Sequence, residues 1–174
     1  MSLARARALI VVALLVVAAL ILVLVAIFKD KQTGSIYSSS CPAGAVKVKT
    51  RPLPVPGQVK INVFNGTNTP GLATQVATDF RNRGFTVVGA NNAPSKYDGV
   101  SKLVYGPKEL AAATVVNSYF LGFATTSFDI KRTNDVIDVT VGAQYTTLGT
   151  KTEVSQSLAQ LGNPSPPPHT CDTA

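Results

Sequence analysis

Apolar and polar positions along this chain change period several times, and each change marks an element. From Leu9 to Phe28 there is no period at all: LIVVALLVVAALILVLVAIF is twenty residues without a charge, hydroxyl, amide, glycine or proline. A helix of that length spans about 30 Å, the depth of a bilayer's hydrocarbon core, so the run predicts a transmembrane anchor over 9–28. A cleaved secretory signal is the alternative. Its apolar region would be only about 7–15 residues, ahead of a small-residue cleavage site, whereas AIF here passes directly into KDK. Residues 29–57 then lose all pattern. KDKQTGSIYSSS is polar, and RPLPVPG alternates prolines in the manner of extended polyproline II, which predicts a stem.

From residue 58 the periods of two and 3.6 take turns. QVKINVFNG alternates Val59, Ile61 and Val63 with polar neighbours, a half-buried strand ended by Asn65-Gly66. Thr69-Pro70 predicts a helix start, with Leu72, Ala73, Val76, Ala77 and Phe80 on one face and Gly84 as the stop. FTVVGA and SKLVYG are the next two strands, and Pro107 opens a second helix through KELAAATVVNSYF. TTSFDI and VIDVTVG follow as strands. Thr150 and Glu153 form a capping box for a short last helix ending near Gly162. The order β-α-β-β-α-β-β plus a helix predicts an α/β (α+β) sandwich, a ferredoxin-like split β-α-β core with an extra strand and a short C-terminal helix. The expected organisation is a cytoplasmic N-terminus (1–8), the anchor (9–28), a Pro-rich basic stem (29–57), the α/β domain (58–161) and a Pro-rich tail (162–174).

Charge changes the picture in two places. The formal net charge is +7, which at first sight points to nucleic acid. Arg5, Arg7, Lys29 and Lys31, less Asp30, account for +3 of it at the flanks of the apolar run. Positive groups favour the cytoplasmic side, and the N-terminal flank is the richer, so the exterior part is expected outside the membrane and away from nucleic acid. That part's excess is local: Lys47, Lys49, Arg51 and Lys60 have no acid among them between Cys41 and Lys60. A solvated stem explains this, as does attraction to lipid headgroups or an anionic wall polymer. Cys41 and Cys171 bracket the exterior domain, and in an oxidising space a disulfide between them is expected. Unpaired or intermolecular cysteines are the alternative.

The residues carrying these elements resemble a known family. VKINVFNGTNTPGLATQVATDFRNRGFTVVGANNA, then LVYGPKELAAA, then IDVTVGAQY is similar to the LytR C-terminal domain, in which an NGT-x-x-x-GLA segment, a GF-x-VV strand, a YGP-plus-alanine helix start and a closing V-D-V-T-V strand recur in this order. The resemblance covers roughly residues 58–145. It implies a stand-alone, membrane-anchored protein of the actinobacterial cell envelope. It also implies LytR-CpsA-Psr enzymes, which attach glycopolymers to peptidoglycan, as partners, and a part in envelope integrity. Their large catalytic domain has no counterpart here, so transferase activity does not carry over.

Candidate chemistry is sparse. The segment from Asn65 to Leu72, with Asn65, Gly66 and Thr67 as its candidate ligand contacts, joins a strand's end to a helix start, where free N–H groups favour anions or sugar hydroxyls, although turn-building explains the same residues. Tyr105 and Lys108 repeat that geometry at YGP, and a shared shallow groove between the two turns is expected to bind cell-wall glycan or another envelope polymer. No catalytic group, metal site or cofactor is expected: His169 is the one histidine and lies in the tail. Asp129, Asp135 and Asp138 are the only acidic group that a metal-dependent hydrolase or phosphotransferase acting on an envelope substrate could use, and a solvated hairpin with Lys131 and Arg132 as counter-charges is the plainer account. A protein-binding scaffold without glycan affinity is the remaining alternative.

Overall fold

A computed structural model describes residues 12–23 and 41–173. Residues 12–23 are helical (α1), within the apolar run, and their side chains are exposed. Among the described residues no helix is long and apolar enough to cross a membrane. The rest of the anchor, the residues expected on the cytoplasmic side and the first part of the stem lie outside the described residues.

Residues 41–173 belong to a separate compact unit. Its strands are β1 (Val46–Val48), β2 (Lys60–Asn65), β3 (Thr86–Asn92), β4 (Ser101–Tyr105), β5 (Ala124–Phe128), β6 (Ile137–Val141) and β7 (Thr170–Asp172); its helices are α2 (Leu72–Asn82), α3 (Leu110–Tyr119) and α4 (Lys151–Leu161). The expected element order is therefore present, as is the capping box, with the Thr150 hydroxyl accepting from the Glu153 N–H and the Glu153 carboxylate accepting from the Thr150 N–H. Helix α2 departs in detail. Gly71, at φ 76°, stands at its N-cap in place of Thr69, and no side chain caps it.

The topology corrects the split β-α-β expectation. The five-stranded sheet runs β3-β2-β6-β4-β5. Helix α2 joins the adjacent parallel strands β2 and β3, and α3 joins β4 and β5, so no strand splits either unit. β6, the last of the five in the chain, lies between the two units, parallel to β2 and antiparallel to β4. Pattern reading names the strands but not their neighbours, because a period-two run is the same whichever strand pairs with it.

Alternation along the strands builds one core. Ile61, Val63, Leu103, Ile137, Val139 and Val141 are fully buried under the helices, while Lys60, Asn62, Phe64, Lys102, Val104, Asp138 and Thr140 line the other face, half-buried or exposed. Phe80 of α2 meets Tyr119 and Phe120 at the end of α3 with centroids 6.1 and 5.9 Å apart, which sets both helices on the same face. Burial of Ala73, Val76, Ala77 and Phe80 follows the expected stripe of α2. α3 is buried almost all round, because the sheet covers one side and α4 the other.

Placing β6 between the two units obliges two connections to cross strand ends. Residues 93–100 pass over β2 and β6: Ala93 donates to the Asn65 carbonyl (2.9 Å), Tyr97 to the Gly66 carbonyl (2.8 Å) and Ala143 to the Tyr97 carbonyl (2.9 Å). Residues 129–136 pass over the end of β4, where Asp129 donates to the Tyr105 carbonyl (2.9 Å). Glycine is required under both crossings. A Cβ on Gly142 would lie 2.6 Å from Tyr97 Cδ1, and one on Gly106 would lie 2.5 Å from the Arg132 carbonyl oxygen.

The expected stem is folded from Val46 onward. β1 pairs in parallel with β7 of the tail, Val46 opposite Thr170 and Val48 opposite Asp172. Val48 and Thr50 are each 1% exposed. The Asp172 carboxylate accepts from the Thr50 N–H (3.2 Å) and from its hydroxyl. Cys41 and Cys171 form the expected disulfide across 130 residues, with their Cα atoms 5.7 Å apart. Stem and tail are thus one two-stranded clasp.

Two outcomes follow for urea unfolding of the full-length protein in detergent. The Cys41→Ser/Cys171→Ser pair should lose about 2–5 kcal/mol, since so long a loop is released. Gly142→Ala should lose about 1–3 kcal/mol by overpacking, while Gly57→Ala, whose Cβ would meet only the Gly84 carbonyl at 3.7 Å, should change little. Equal stabilities for the two alanine variants would contradict the crossing described here.

Candidate functional site

The residues singled out in the sequence separate into two places. Asn65 ends β2 opposite Val141 of β6, and Val141 is opposite Ser101 of β4. Tyr105 is four residues further along β4, about 13 Å in the strand direction. Because β2 and β4 run in opposite directions, their following turns open at opposite ends of the sheet. The structure therefore brings Asn65, Gly66 and Thr67 together and sets Tyr105 and Lys108 apart from them. The single shared groove is not formed.

At the first place the side chains are largely committed to the turn. Asn65 is 6% exposed. Its amide donates to the Thr69 carbonyl (2.7 Å), and its Oδ1 accepts from the N–H (2.9 Å) and the hydroxyl (2.7 Å) of Thr67. The Thr67 oxygen accepts in turn from the Thr69 N–H (3.0 Å). Gly66 donates to the Val141 carbonyl (2.8 Å), and a Cβ there would meet Thr140 Cγ2 at 2.9 Å. This is the local hydrogen bonding for which asparagine and threonine are favoured in turns. It presents what comes next, Asn68 to Gly71, at the surface.

That presentation creates a cleft of about 430 Å³ between the turn, the start of α2 and the segment after β6. Thr67, Asn68 and Thr69 form one wall, Gln75 the floor of α2, and Tyr145 and Thr146 the other wall. Tyr145 is half-buried, its ring 6.1 Å from Phe120. Its hydroxyl is held above the ordinary tyrosine range, by burial first and by Asp79 second. It stays protonated and able both to donate and to accept at neutral pH. Asn68 falls in the segment the sequence singles out, whereas Gln75, Tyr145 and Thr146 escape it, because only the insertion of β6 brings the segment after it beside α2.

At the second place Tyr105 is buried against Phe128, centroids 5.9 Å apart, and burial raises its pKa above the usual value. Lys108 is exposed on the 3-10 turn Pro107–Glu109. It shares with Lys47 of β1 and Lys49, the residue after that strand, the lining of a groove of about 390 Å³.

Asp129 and Asp135 of the β5–β6 connection and Asp138 of β6 do not converge. Among the described residues no group of three His, Cys, Asp or Glu side chains could hold a metal ion. Asp135 pairs with Lys60 (2.7 Å) and Asp138 with Arg132 (2.8 Å). Asp138 also accepts from the Asn62 amide (3.2 Å), and Asp129 accepts from the Lys131 N–H (3.0 Å). Asp135 is held below the usual carboxylate range, first by its hydrogen bond to Lys60, and Lys60 is correspondingly raised. Arg132 is thus a counter-charge, as expected, while Lys60 takes the place expected of Lys131.

Comparison with known proteins bears on the fold and family. The chain is similar to the crystal structure of the soluble domain of a conserved hypothetical secreted protein from Mycobacterium marinum, at 24% identity and a TM-score of 0.53, over 71% of this chain and 83% of that one. The likeness is one of fold. No curated protein matches the chain. A family described as the LytR cell envelope-related transcriptional attenuator matches residues 58–145, the span from the start of β2 through the cleft residue Tyr145, and to that family this chain belongs.

Proposed function

We propose that this protein is a non-enzymatic, single-pass component of the cell envelope, N-terminus in the cytoplasm, whose folded unit stands outside the membrane and binds cell-wall glycan. One observation carries the reading: the polar side chains lining the 430 Å³ cleft are hydroxyls, amides and one tyrosine, beside Leu72 and Ala143, with no carboxylate or cation among its lining residues. Neutral saccharides offer hydroxyls that both donate and accept, which suits Asn, Gln, Thr and Tyr side chains. Asn65, Gly66 and Thr67 serve it as the support of the cleft wall.

The apolar run from Leu9 to Phe28 supports the anchor. Twelve residues lie between Phe28 and Cys41, a tether of at most about 45 Å of chain. Confinement of this kind raises local concentration and lets weak contacts to a polymer act together. The envelope-related family supports wall-assembly enzymes of the LytR-CpsA-Psr class as neighbours.

A protein scaffold is the second reading, favoured by β3. This seven-residue strand is at the sheet's edge, with Val88 59% exposed, and open edges accept a further strand. A metal-dependent hydrolase or phosphotransferase has less support, since its three aspartates are dispersed among separate partners.

Retention of the full-length protein, in detergent, on isolated wall material tests the first reading. Asn68→Ala/Gln75→Ala should lower retention about tenfold through two lost hydrogen bonds, with thermal unfolding unchanged. Asn65→Ala should instead lower stability, by about 1–3 kcal/mol, because the Thr67 and Thr69 groups lose their partner. Undiminished retention of the folded double variant would remove the cleft from the account. Failure of the wild type to bind, with wall-assembly enzymes recovered by crosslinking in cells, would favour the scaffold.

A further inference from the structure

The groove at the opposite end of the sheet has different chemistry from the cleft. Lys47 in β1 and Lys49 just after it flank Val48, whose side chain is buried in the core, and both lysines are turned outward together. Lys108 approaches from the turn after β4, with Pro107 and Thr173 between. All three lysines are exposed. Among the described residues the ion pairs are Lys60–Asp135 and Arg132–Asp138, so none of the three is neutralised in that way. Of the acids around the groove, Asp135 and Glu109 lie within electrostatic reach of Lys108, Asp135 paired with Lys60 and Glu109 half-buried, while Asp172 is engaged by Thr50.

Three like charges around one depression repel one another, and an anion seated among them relieves that repulsion. Ammonium groups act as compact point charges with rotatable donors, suited to the several oxygens of a phosphate group. We propose that Lys47, Lys49 and Lys108 form a binding site for a phosphate-bearing anion, a chemistry shared by phospholipid headgroups and soluble phosphates. One wall of this site exists only while β1 is held by β7 and by the Cys41–Cys171 bridge. Anion binding is therefore coupled to closure of the clasp. The inference is independent of the glycan reading, since the two sites share no residue.

Lysine footprinting by acetylation and mass spectrometry, on the full chain in nanodiscs, tests it in two arms. One compares phosphatidylglycerol with phosphatidylcholine discs; the other adds inorganic tripolyphosphate to phosphatidylcholine discs. The expected result is acetylation about fivefold slower at Lys47, Lys49 and Lys108, but not at the exposed Lys96, Lys131 and Lys151, with protection fading as salt is raised. Protection in the first arm identifies a headgroup as the source, and in the second alone a soluble phosphate. Lys47→Gln/Lys49→Gln should remove the protection of Lys108, and Cys41→Ser/Cys171→Ser should do the same. Groove lysines that react like the other three in both arms would overturn the site. Protection that survives loss of the bridge would overturn its coupling to the clasp.

Discussion

The structure depends on where its last sheet strand is laid. Two β-α-β units could each close on their own, but neither would bury both flanks of its first strand. β6 supplies the missing neighbour to both at once, parallel to β2 and antiparallel to β4. Its three inward residues, Ile137, Val139 and Val141, are fully buried and lie at the centre of the core. The cost is that each connection leaving or entering the paired units must pass over a strand end. Gly66, Gly106 and Gly142 lie under those crossings, where a side chain would meet backbone or Tyr97.

Both concave surfaces follow from the same arrangement. The cleft exists because the segment after β6 emerges beside the turn after β2, bringing Tyr145 against Thr67 and Gln75. The groove exists because the turn after β4 opens at the other end, where the clasp of β1 and β7 covers it. An uncharged surface and a cationic one are thereby kept at opposite ends of one small sheet.

Much of this was legible in the residues. Val59-Ile61-Val63 announced a strand, the 72–80 stripe a helix and Thr150–Glu153 its capped successor, because each is fixed by local spacing. Cys41 and Cys171 could be paired because nothing else in the chain could satisfy them. What failed was non-local. The order of strands is decided by which pairing buries the most apolar surface, and a run such as IDVTV carries no label for its neighbours. That one gap moved Tyr105 and Lys108 to the wrong end. Proline and basic charge similarly made 46–50 look like solvated spacer. Yet Val48 and Thr50 are buried there by a partner strand over 120 residues away.

The clasp also has a mechanical side. A pull on the chain ahead of Cys41 enters the folded unit at the bridge, which divides it between β1 and β7. Neither strand can be peeled away alone. Force applied along the chain ahead of Cys41 is then met together by two parallel strands and one covalent link, not by a single strand end.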